Sequence, residues 1–315
     1  MAIKLRRGMF FTTIAIVLVL IVILGFFVQH EYRLRNKMYV IETRVETIND
    51  FIKSTEKDLN RGLYITSFRA LLGIQTYITN NGTFLININS QFNEVLLNGT
   101  LNNQKISTMV NSTFTDWTEK IQEQAGKIDI LADVSILNLT IYQQEPWSIT
   151  VNSLLLLQIS DRRGTANWTR NENVIIKLDI EGFEDPLYTL NSFGKVVNII
   201  KKADATDFSI TSNLINHINK SYYIESVTGP NFLMRLEGKT SNSTYGIESL
   251  VNLNKFFNQQ IPTLAKSDVD YIYFGNATSN SCVINETYQQ FNWFRLDNDV
   301  EPYSHLDEYK VHCFS

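Results

Sequence analysis

Residues 9–28 read MFFTTIAIVLVLIVILGFFV and contain no charged residue, no Asn and no Gln. At about 1.5 Å per residue, a helix of this length spans roughly 30 Å, the thickness of the hydrocarbon core of a bilayer. No small-residue cleavage site of the secretory type follows the run, so we expect the helix to stay on the protein. The stretch therefore predicts a transmembrane helix that contacts membrane lipid through residues 9–28.

Basic residues flank the apolar run on both sides. Three precede it and three follow it closely: Lys4, Arg6 and Arg7, then Arg33, Arg35 and Lys37. The positive-inside rule depends on an excess of Lys and Arg on one flank, and here the flanks are equal. The orientation in the membrane must therefore be inferred from the rest of the chain.

The residues around Gly8 carry a resemblance to a known family. The segment KLRRG at residues 4–8, followed by Met9 and the apolar run, resembles the class III signal peptide of type IV pilins and related archaeal surface proteins. The resemblance implies cleavage between Gly8 and Met9 by a membrane peptidase. It also implies that the apolar helix remains, either as a membrane anchor or in a filament core. Thr13 stands at the fifth mature position, where many pilins carry Glu and archaeal members often do not.

Sequons for N-glycosylation are frequent in the remainder of the chain. Nine Asn-x-Ser/Thr sequons lie beyond residue 80: Asn81, Asn98, Asn111, Asn138, Asn167, Asn219, Asn242, Asn276 and Asn285. Such acceptors are modified on the surface of proteins that leave the cytoplasm. The alternative is chance, because the chain is rich in Asn, Ser and Thr. Occupied sequons would place residues 29–315 outside the cell.

The only two cysteines of the chain are Cys282 and Cys313. In an oxidising compartment such a pair can close one loop, and a loop of this length predicts a stabilisation of about 3.5 kcal/mol. The alternative is two buried thiols. The disulfide would agree with the orientation that the sequons indicate.

Composition limits the classes of protein that remain. With 44% hydrophobic and 12% aromatic residues, the chain can bury a proper core. The net charge is −4, and the part beyond residue 80 is the acidic part, which argues against binding to nucleic acid. Only five prolines and no low-complexity tract are present, so we expect an ordered ectodomain.

Residues 29–80 are predicted to continue the helix as a stalk. Apolar residues at heptad spacing form a seam of roughly three heptads. The seam consists of Met38, Ile41, Val45, Ile48 and Ile52, and Leu59 continues it with Thr55 at the missing position. We predict that it mediates self-association, with packing against the protein's own head as the alternative. A wider apolar run from Leu59 to Ile78 predicts docking of the stalk on the head, and the helix is expected to end near Gly82.

The next region changes from helical to alternating periodicity. Apolar residues between Phe92 and Ala125 recur at helical spacing, and Gly126 is a plausible stop. Residues 128–142, 147–159 and 174–181 then read as three strands joined by short turns. Three consecutive strands with short connections predict an antiparallel meander, either half of a sandwich or a sheet covered by the preceding helices.

The last third mixes both types of pattern. Residues 211–218 and 247–257 are predicted helices, and residues 232–236, 269–274 and 303–311 are predicted strands. The runs are short, so each prediction depends on few residues.

Motifs for catalysis and for metal binding are absent from the sequence. His305 and His312 have a spacing that fits neither a zinc protease motif nor a facial triad, and no C-x-x-C or phosphate-binding loop is present. The segment 297–301 has calcium-ligand residue types, but Pro302 stands where an EF-hand needs Gly. We therefore predict no catalytic residue, no metal and no cofactor.

Two further groupings have simpler explanations than a binding site. Glu181, Glu184 and Asp185 could pair as catalytic carboxylates, but acidic turns are common. The aromatic residues of segments 271–274 and 291–294 could form a carbohydrate platform, although core packing is the more economical explanation.

Taken as a whole, the sequence predicts an α+β protein with an N-terminal transmembrane helix, a helical stalk and an ectodomain that contains an antiparallel sheet. The predicted divisions are a basic cytoplasmic leader (1–8), the transmembrane helix (9–28), the stalk (29–80), an α+β lobe with the meander (81–204) and a second α+β lobe (205–315). The predicted function is that of a single-pass, pilin-like structural or adhesive protein of the cell surface with an unknown ligand. The alternative is a receptor-like or accessory binding ectodomain that does not polymerise.

Overall fold

The computed structural model of the chain describes residues 2–164, 166–276, 280–284, 291–298 and 304–313, with side chains from residue 10 onward. Within these residues the protein is α+β, with a long apolar N-terminal helix followed by antiparallel sheets, as the sequence predicts.

Helix α1 runs without a break from Ala2 to Asn81, over 80 residues. It continues through Gly62 and Gly73, and both positions are sites of close approach by other parts of the head. A Cβ atom at Gly62 would lie 2.5 Å from Trp117 Cε2, and one at Gly73 would collide with Ile106. The absence of a side chain at these two positions therefore allows neighbouring segments to pack directly on α1.

Short helices and a hairpin follow α1. Helix α2 spans Ile88–Asn98, strands β1 (Thr100–Leu101) and β2 (Gln104–Lys105) form a hairpin, and α3 spans Phe114–Lys127. A capping box fixes the start of α3, because the side chains of Thr113 and Asp116 each accept a hydrogen bond from the other residue's backbone N–H.

The predicted meander is present as strands β3 (Ile130–Glu145), β4 (Ser148–Asp161) and β5 (Asn167–Asp179). All neighbouring pairs are antiparallel, in the order β3-β4-β5. The register between β3 and β4 shifts between Ile136 and Asn138, which is a β-bulge. Inward residues alternate with outward ones, as the period of two requires.

The C-terminal half of α1, with α2 and α3, packs against one face of this sheet. The main core contains Ile74 of α1, Phe92 of α2, Phe114 of α3 and Leu155 of β4, all of them buried. The helices therefore cover one face of the meander, and of the two arrangements that the sequence left open, this is the observed one.

The remaining elements are short. They are α4 (Pro186–Asn191), α5 (Thr211–Lys220), β6 (Tyr223–Glu225), α6 (Phe232–Leu236), β7 (Ile247–Ser249), α7 (Leu253–Asn258), α8 (Asp270–Phe274), β8 (Ser281–Val283), β9 (Arg295–Asp297) and α9 (His305–Glu308). Strand β6 pairs with β7, and β8 pairs with β9, both antiparallel.

Several local predictions in this region are wrong. Residues 232–236 and most of 269–274 are helical, and so are residues 305–308, which fall within the third predicted strand. The predicted helix 247–257 divides into strand β7 and helix α7. Apolar runs of about five residues fit either period, and local capping decides between them. For α6, the Asn231 side chain accepts a hydrogen bond from Met234 N and so begins a helix.

The main core extends across the predicted boundary between residues 204 and 205. Phe232, Leu236 and Ile247 belong to the same buried cluster as the sheet and α1. A second buried cluster, with Phe208, Tyr309 and Phe294 among its members, lies in the C-terminal part. The division into two lobes remains a prediction.

Candidate functional site

The N-terminal half of α1 projects away from the head. All described side chains from Phe10 to Val28 are exposed. Among the described residues, α1 is the one helix that is long and apolar enough to cross a membrane. The structure therefore places the predicted membrane span on a free rod, where lipid or other helices can surround it.

A spacer of residues 29–43 separates this span from the head, and all its residues are exposed. At about 1.5 Å per residue it is roughly 20 Å long. Four consecutive large apolar side chains, from Met38 to Ile41, are exposed on it. Successive residues of a helix point about 100° apart, so these four cover most of its circumference. Such a surface is unfavourable in water unless neighbouring helices cover it from more than one side.

The predicted assembly seam divides between Val45 and Ile48. Met38 is 69% exposed and Val45 is 46% exposed, whereas Ile48 and Ile52 are 4% and 5% exposed and belong to the main core. Ile48 and Ile52 therefore pack against the protein's own head. This corrects the prediction that they belong to an assembly contact. Met38, Ile41 and Val45 remain accessible to a partner.

The predicted glycosylation sites lie on the surface. Eight of the sequon asparagines are exposed: Asn81, Asn98, Asn111, Asn138, Asn167, Asn219, Asn242 and Asn276. Asn285 lies outside the described residues. Exposure is what a glycan acceptor requires, and occupancy of the sites remains a prediction.

The two cysteines come together at the end of the chain. Cys282 and Cys313 form a disulfide with their Cα atoms 5.5 Å apart. Cys282 lies on β8. Two residues after it, Ile284 forms an isolated antiparallel β-bridge with Cys313. The disulfide therefore fastens the C-terminal segment to the β8–β9 hairpin.

The predicted cleavage site falls within the first turns of α1. Side chains are described only from Phe10 onward, and cleavage between Gly8 and Met9 remains a prediction.

A buried cation holds the centre of the head together. Arg235 on α6 is fully buried, and its Nη1 atom donates hydrogen bonds to Asp185 Oδ2 at 2.5 Å and Asp270 Oδ2 at 2.9 Å. Burial opposes the charged form of Arg235, but the two carboxylates raise its pKa above the ordinary value. Burial raises the pKa of Asp270 to about 6, against the lowering effect of Arg235. The group is closed to solvent and ties α4, α6 and α8 together, so its role is structural.

A second charged cluster surrounds His305 on α9. His305 Nδ1 lies 2.7 Å from Asp297 Oδ2, and Nε2 lies 3.2 Å from Glu248 Oε2. The Tyr309 hydroxyl donates to Glu248 Oε1 at 2.7 Å, and the Tyr271 hydroxyl lies 3.1 Å from Nε2. Burial lowers the pKa of His305, but Glu248 and Asp297 outweigh burial and raise this pKa to about 11.

Glu308, three residues further along α9, completes this cluster. One carboxylate oxygen each from Glu248 and Glu308 and one ring nitrogen of His305 lie within 4.8 Å of one another. These are ligand atoms of the types that hold divalent metals.

Sequence reasoning missed both clusters. Glu248 and His305 are 57 residues apart, and Arg235 is 50 and 35 residues from its two carboxylates. No motif spacing connects such residues, although the presence of His, Asp and Glu in one apolar C-terminal region was a weak signal.

The weaker groupings in the sequence do not form sites among the described residues. Asp297 pairs with His305 and Ser267, and residues 299–301 lie outside the described part. Asp185 pairs with Arg235, while Glu184 accepts a hydrogen bond from Thr79. The residues named as a carbohydrate platform pack into the two C-terminal cores instead.

Comparison with protein-family models, with curated proteins and with solved structures found no match to this chain.

Proposed function

We propose that the chain is a membrane-anchored protein of the cell surface, pilin-like in organisation, with a structural or adhesive role. The observation that carries the proposal is the division of α1. Its N-terminal half is apolar and free along residues 10–28, and its C-terminal half forms part of the core of the head. This division suits a subunit that presents a folded head at the end of a membrane-embedded or filament-forming helix.

The proposal places the head outside the cell. The exposed sequon asparagines and the disulfide between Cys282 and Cys313 support this orientation, because both modifications belong to compartments outside the cytoplasm. The leader before Gly8 would then lie on the cytoplasmic side.

The exposed apolar spacer supports self-association. Met38, Tyr39, Val40 and Ile41 point in different directions around one helix, so neighbours on several sides are needed to cover them. A bundle or filament of identical helices supplies such neighbours. Mechanical shearing of intact cells tests this: we expect high-mass fibres that contain the chain in the sheared fraction.

An anchored receptor-like protein that does not polymerise is the second candidate. Burial of Ile48 and Ile52 in the head favours it, because the accessible seam is shortened to about two turns of helix. Under this alternative, shearing releases no fibres, and mild detergent extracts the chain from membranes as a monomer.

A further inference from the structure

The charged cluster at the C-terminal end has the geometry of a metal site. His305 Nε2 and Glu248 Oε2 are 3.2 Å apart. Two ligand atoms bound to the same tetrahedral Zn²⁺ at about 2.0–2.1 Å lie about 3.4 Å apart. One carboxylate oxygen of Glu308 also lies within 4.8 Å of a ring nitrogen of His305 and a carboxylate oxygen of Glu248, so a small movement of this exposed side chain brings it into coordination range.

The second ring nitrogen of His305 is already fixed. Nδ1 lies 2.7 Å from Asp297 Oδ2, which sets the orientation of the ring. Zinc-binding histidines are commonly held in this way by a carboxylate on the nitrogen that does not bind the metal. The nitrogen that remains, Nε2, is the one that faces Glu248.

The charges of the cluster are unbalanced. Three carboxylates, those of Glu248, Asp297 and Glu308, converge on a single imidazole. Among the residues that the structure describes, no Lys or Arg forms an ion pair with any of the three, and the side chain of Glu308 makes no hydrogen bond. Negative charge gathered in a largely buried place is unfavourable unless a cation compensates it.

We propose that Glu248, His305 and Glu308 bind one divalent transition-metal ion of the zinc type. The ion replaces the proton between Nε2 and Glu248 Oε2, and that proton passes to solvent. The exposed side of Glu308 leaves a position for a water ligand. An imidazole together with two carboxylates favours zinc over calcium, since calcium takes six to eight oxygen ligands.

The site would have a structural consequence. Glu248 belongs to β7, whereas His305 and Glu308 belong to α9. A bound ion therefore joins the C-terminal helix to the interior of the ectodomain, a few residues before the disulfide at Cys313 fastens the same segment.

The test uses the full-length protein in detergent, freed of metal with EDTA and then titrated with ZnCl₂ in a calorimeter. We expect one zinc ion per chain and a rise in melting temperature on binding. Loss of a residue that only orients a metal ligand weakens metal binding by up to about 100-fold. Glu308→Gln removes a direct ligand, so we expect it to weaken zinc binding by more than that. Without zinc, the Glu308→Gln variant should have a melting temperature equal to or above that of the zinc-free wild type.

Asp307→Asn is the matched control, because Asp307 is an exposed neighbour on the same helix and lies outside the cluster. It should bind zinc as the wild type does. The proposal is overturned if the wild type binds no zinc at micromolar concentrations. It is equally overturned if Glu308→Gln binds zinc as tightly as the wild type, or if His312→Gln abolishes binding.

Discussion

Arg44 on α1 holds the buried carboxylate of Asp161 at the end of β4. Arg44 Nη2 donates to Asp161 Oδ1 at 2.8 Å, and Nε donates to the same oxygen at 3.0 Å. The guanidinium also donates to the backbone carbonyls of Ile128 and Asp129. The Asp161 side chain is fully buried, and every residue of α1 from Phe10 to Thr43 is exposed. Arg44 is therefore where the exposed part of α1 ends and its packing into the head begins.

The first prediction is that Arg44→Ala destabilises the head. The substitution removes the Arg44 guanidinium from the buried Asp161 carboxylate, and loss of one partner of a buried pair costs about 3–5 kcal/mol. Because Arg44 is partly exposed, we expect about 2–4 kcal/mol, measured by chemical denaturation in detergent. Arg33→Ala, in the exposed spacer, is the control and should leave the denaturation midpoint unchanged. Equal denaturation midpoints for Arg44→Ala and the wild type would show that this contact does not stabilise the head.

The second prediction separates assembly from folding along the seam. Val45→Asp changes an exposed residue, so it should alter stability by less than about 0.5 kcal/mol while abolishing the assembly of subunits. Ile48→Asp places a charge in the core and should destabilise the head by more than about 3 kcal/mol. Melting curves and sedimentation of both variants provide the comparison. If Val45→Asp assembles normally, the seam has no role in self-association.

The meander could be predicted from the sequence because long strands carry their own signal. Strands β3, β4 and β5 have 16, 14 and 13 residues, enough for a period of two to be distinct. The end of α1 at Asn81 was equally predictable, because Asn80, Asn81 and Gly82 interrupt a long helical pattern.

The last third could not be predicted in the same way. Its helices and strands have three to ten residues, and the two periods are indistinguishable over most of those lengths. The buried partners of Arg235 and His305 come from distant positions, which only the tertiary fold brings together. Likewise, the heptad pattern of α1 could be seen in the sequence. Which of its residues are exposed and which are buried in the head depends on where Arg44 contacts Asp161, and only the tertiary fold sets that position.

The third prediction concerns acid stability and depends on His217. This residue is buried, and neither of its ring nitrogens has a hydrogen-bond partner among the described residues. Burial lowers its pKa to about 4, with Glu248 acting weakly in the opposite direction. Between about pH 6.5 and 4 the unfolded chain binds a proton that the folded chain rejects, so the free energy of unfolding falls as the pH falls. The loss from this residue should reach about 3 kcal/mol.

His217→Phe isolates this contribution, because the ring packs beside Phe208 and Tyr309 in an aromatic cluster. We expect the variant to lose less stability than the wild type when the pH is lowered from 6.5 to 4. His305 has the opposite pH dependence. Because its pKa is raised, its contribution to the free energy of unfolding is complete below about pH 6.5 and declines only as the pH rises above that value. Parallel pH profiles of the wild type and His217→Phe would show that His217 does not control acid stability.

The fourth prediction concerns processing. If the KLRRG segment acts as its resemblance implies, the mature chain begins at Met9, and Gly8→Val retains residues 1–8. Mass spectrometry of the N-terminal peptide from the purified native protein measures this directly. A native peptide that still contains both Lys4 and Met9 would contradict it.

We propose above that α1 anchors the chain in the membrane with the head outside the cell. A membrane-impermeant amine reagent, applied to intact cells before mass spectrometry, tests it most directly. Lys37, Lys57 and Lys127 are exposed on the spacer, on α1 within the head and at the end of α3. We expect all three lysines to be labelled on intact cells as strongly as after lysis. Labelling of these lysines only after lysis, in cells whose known surface proteins are labelled throughout, would contradict it.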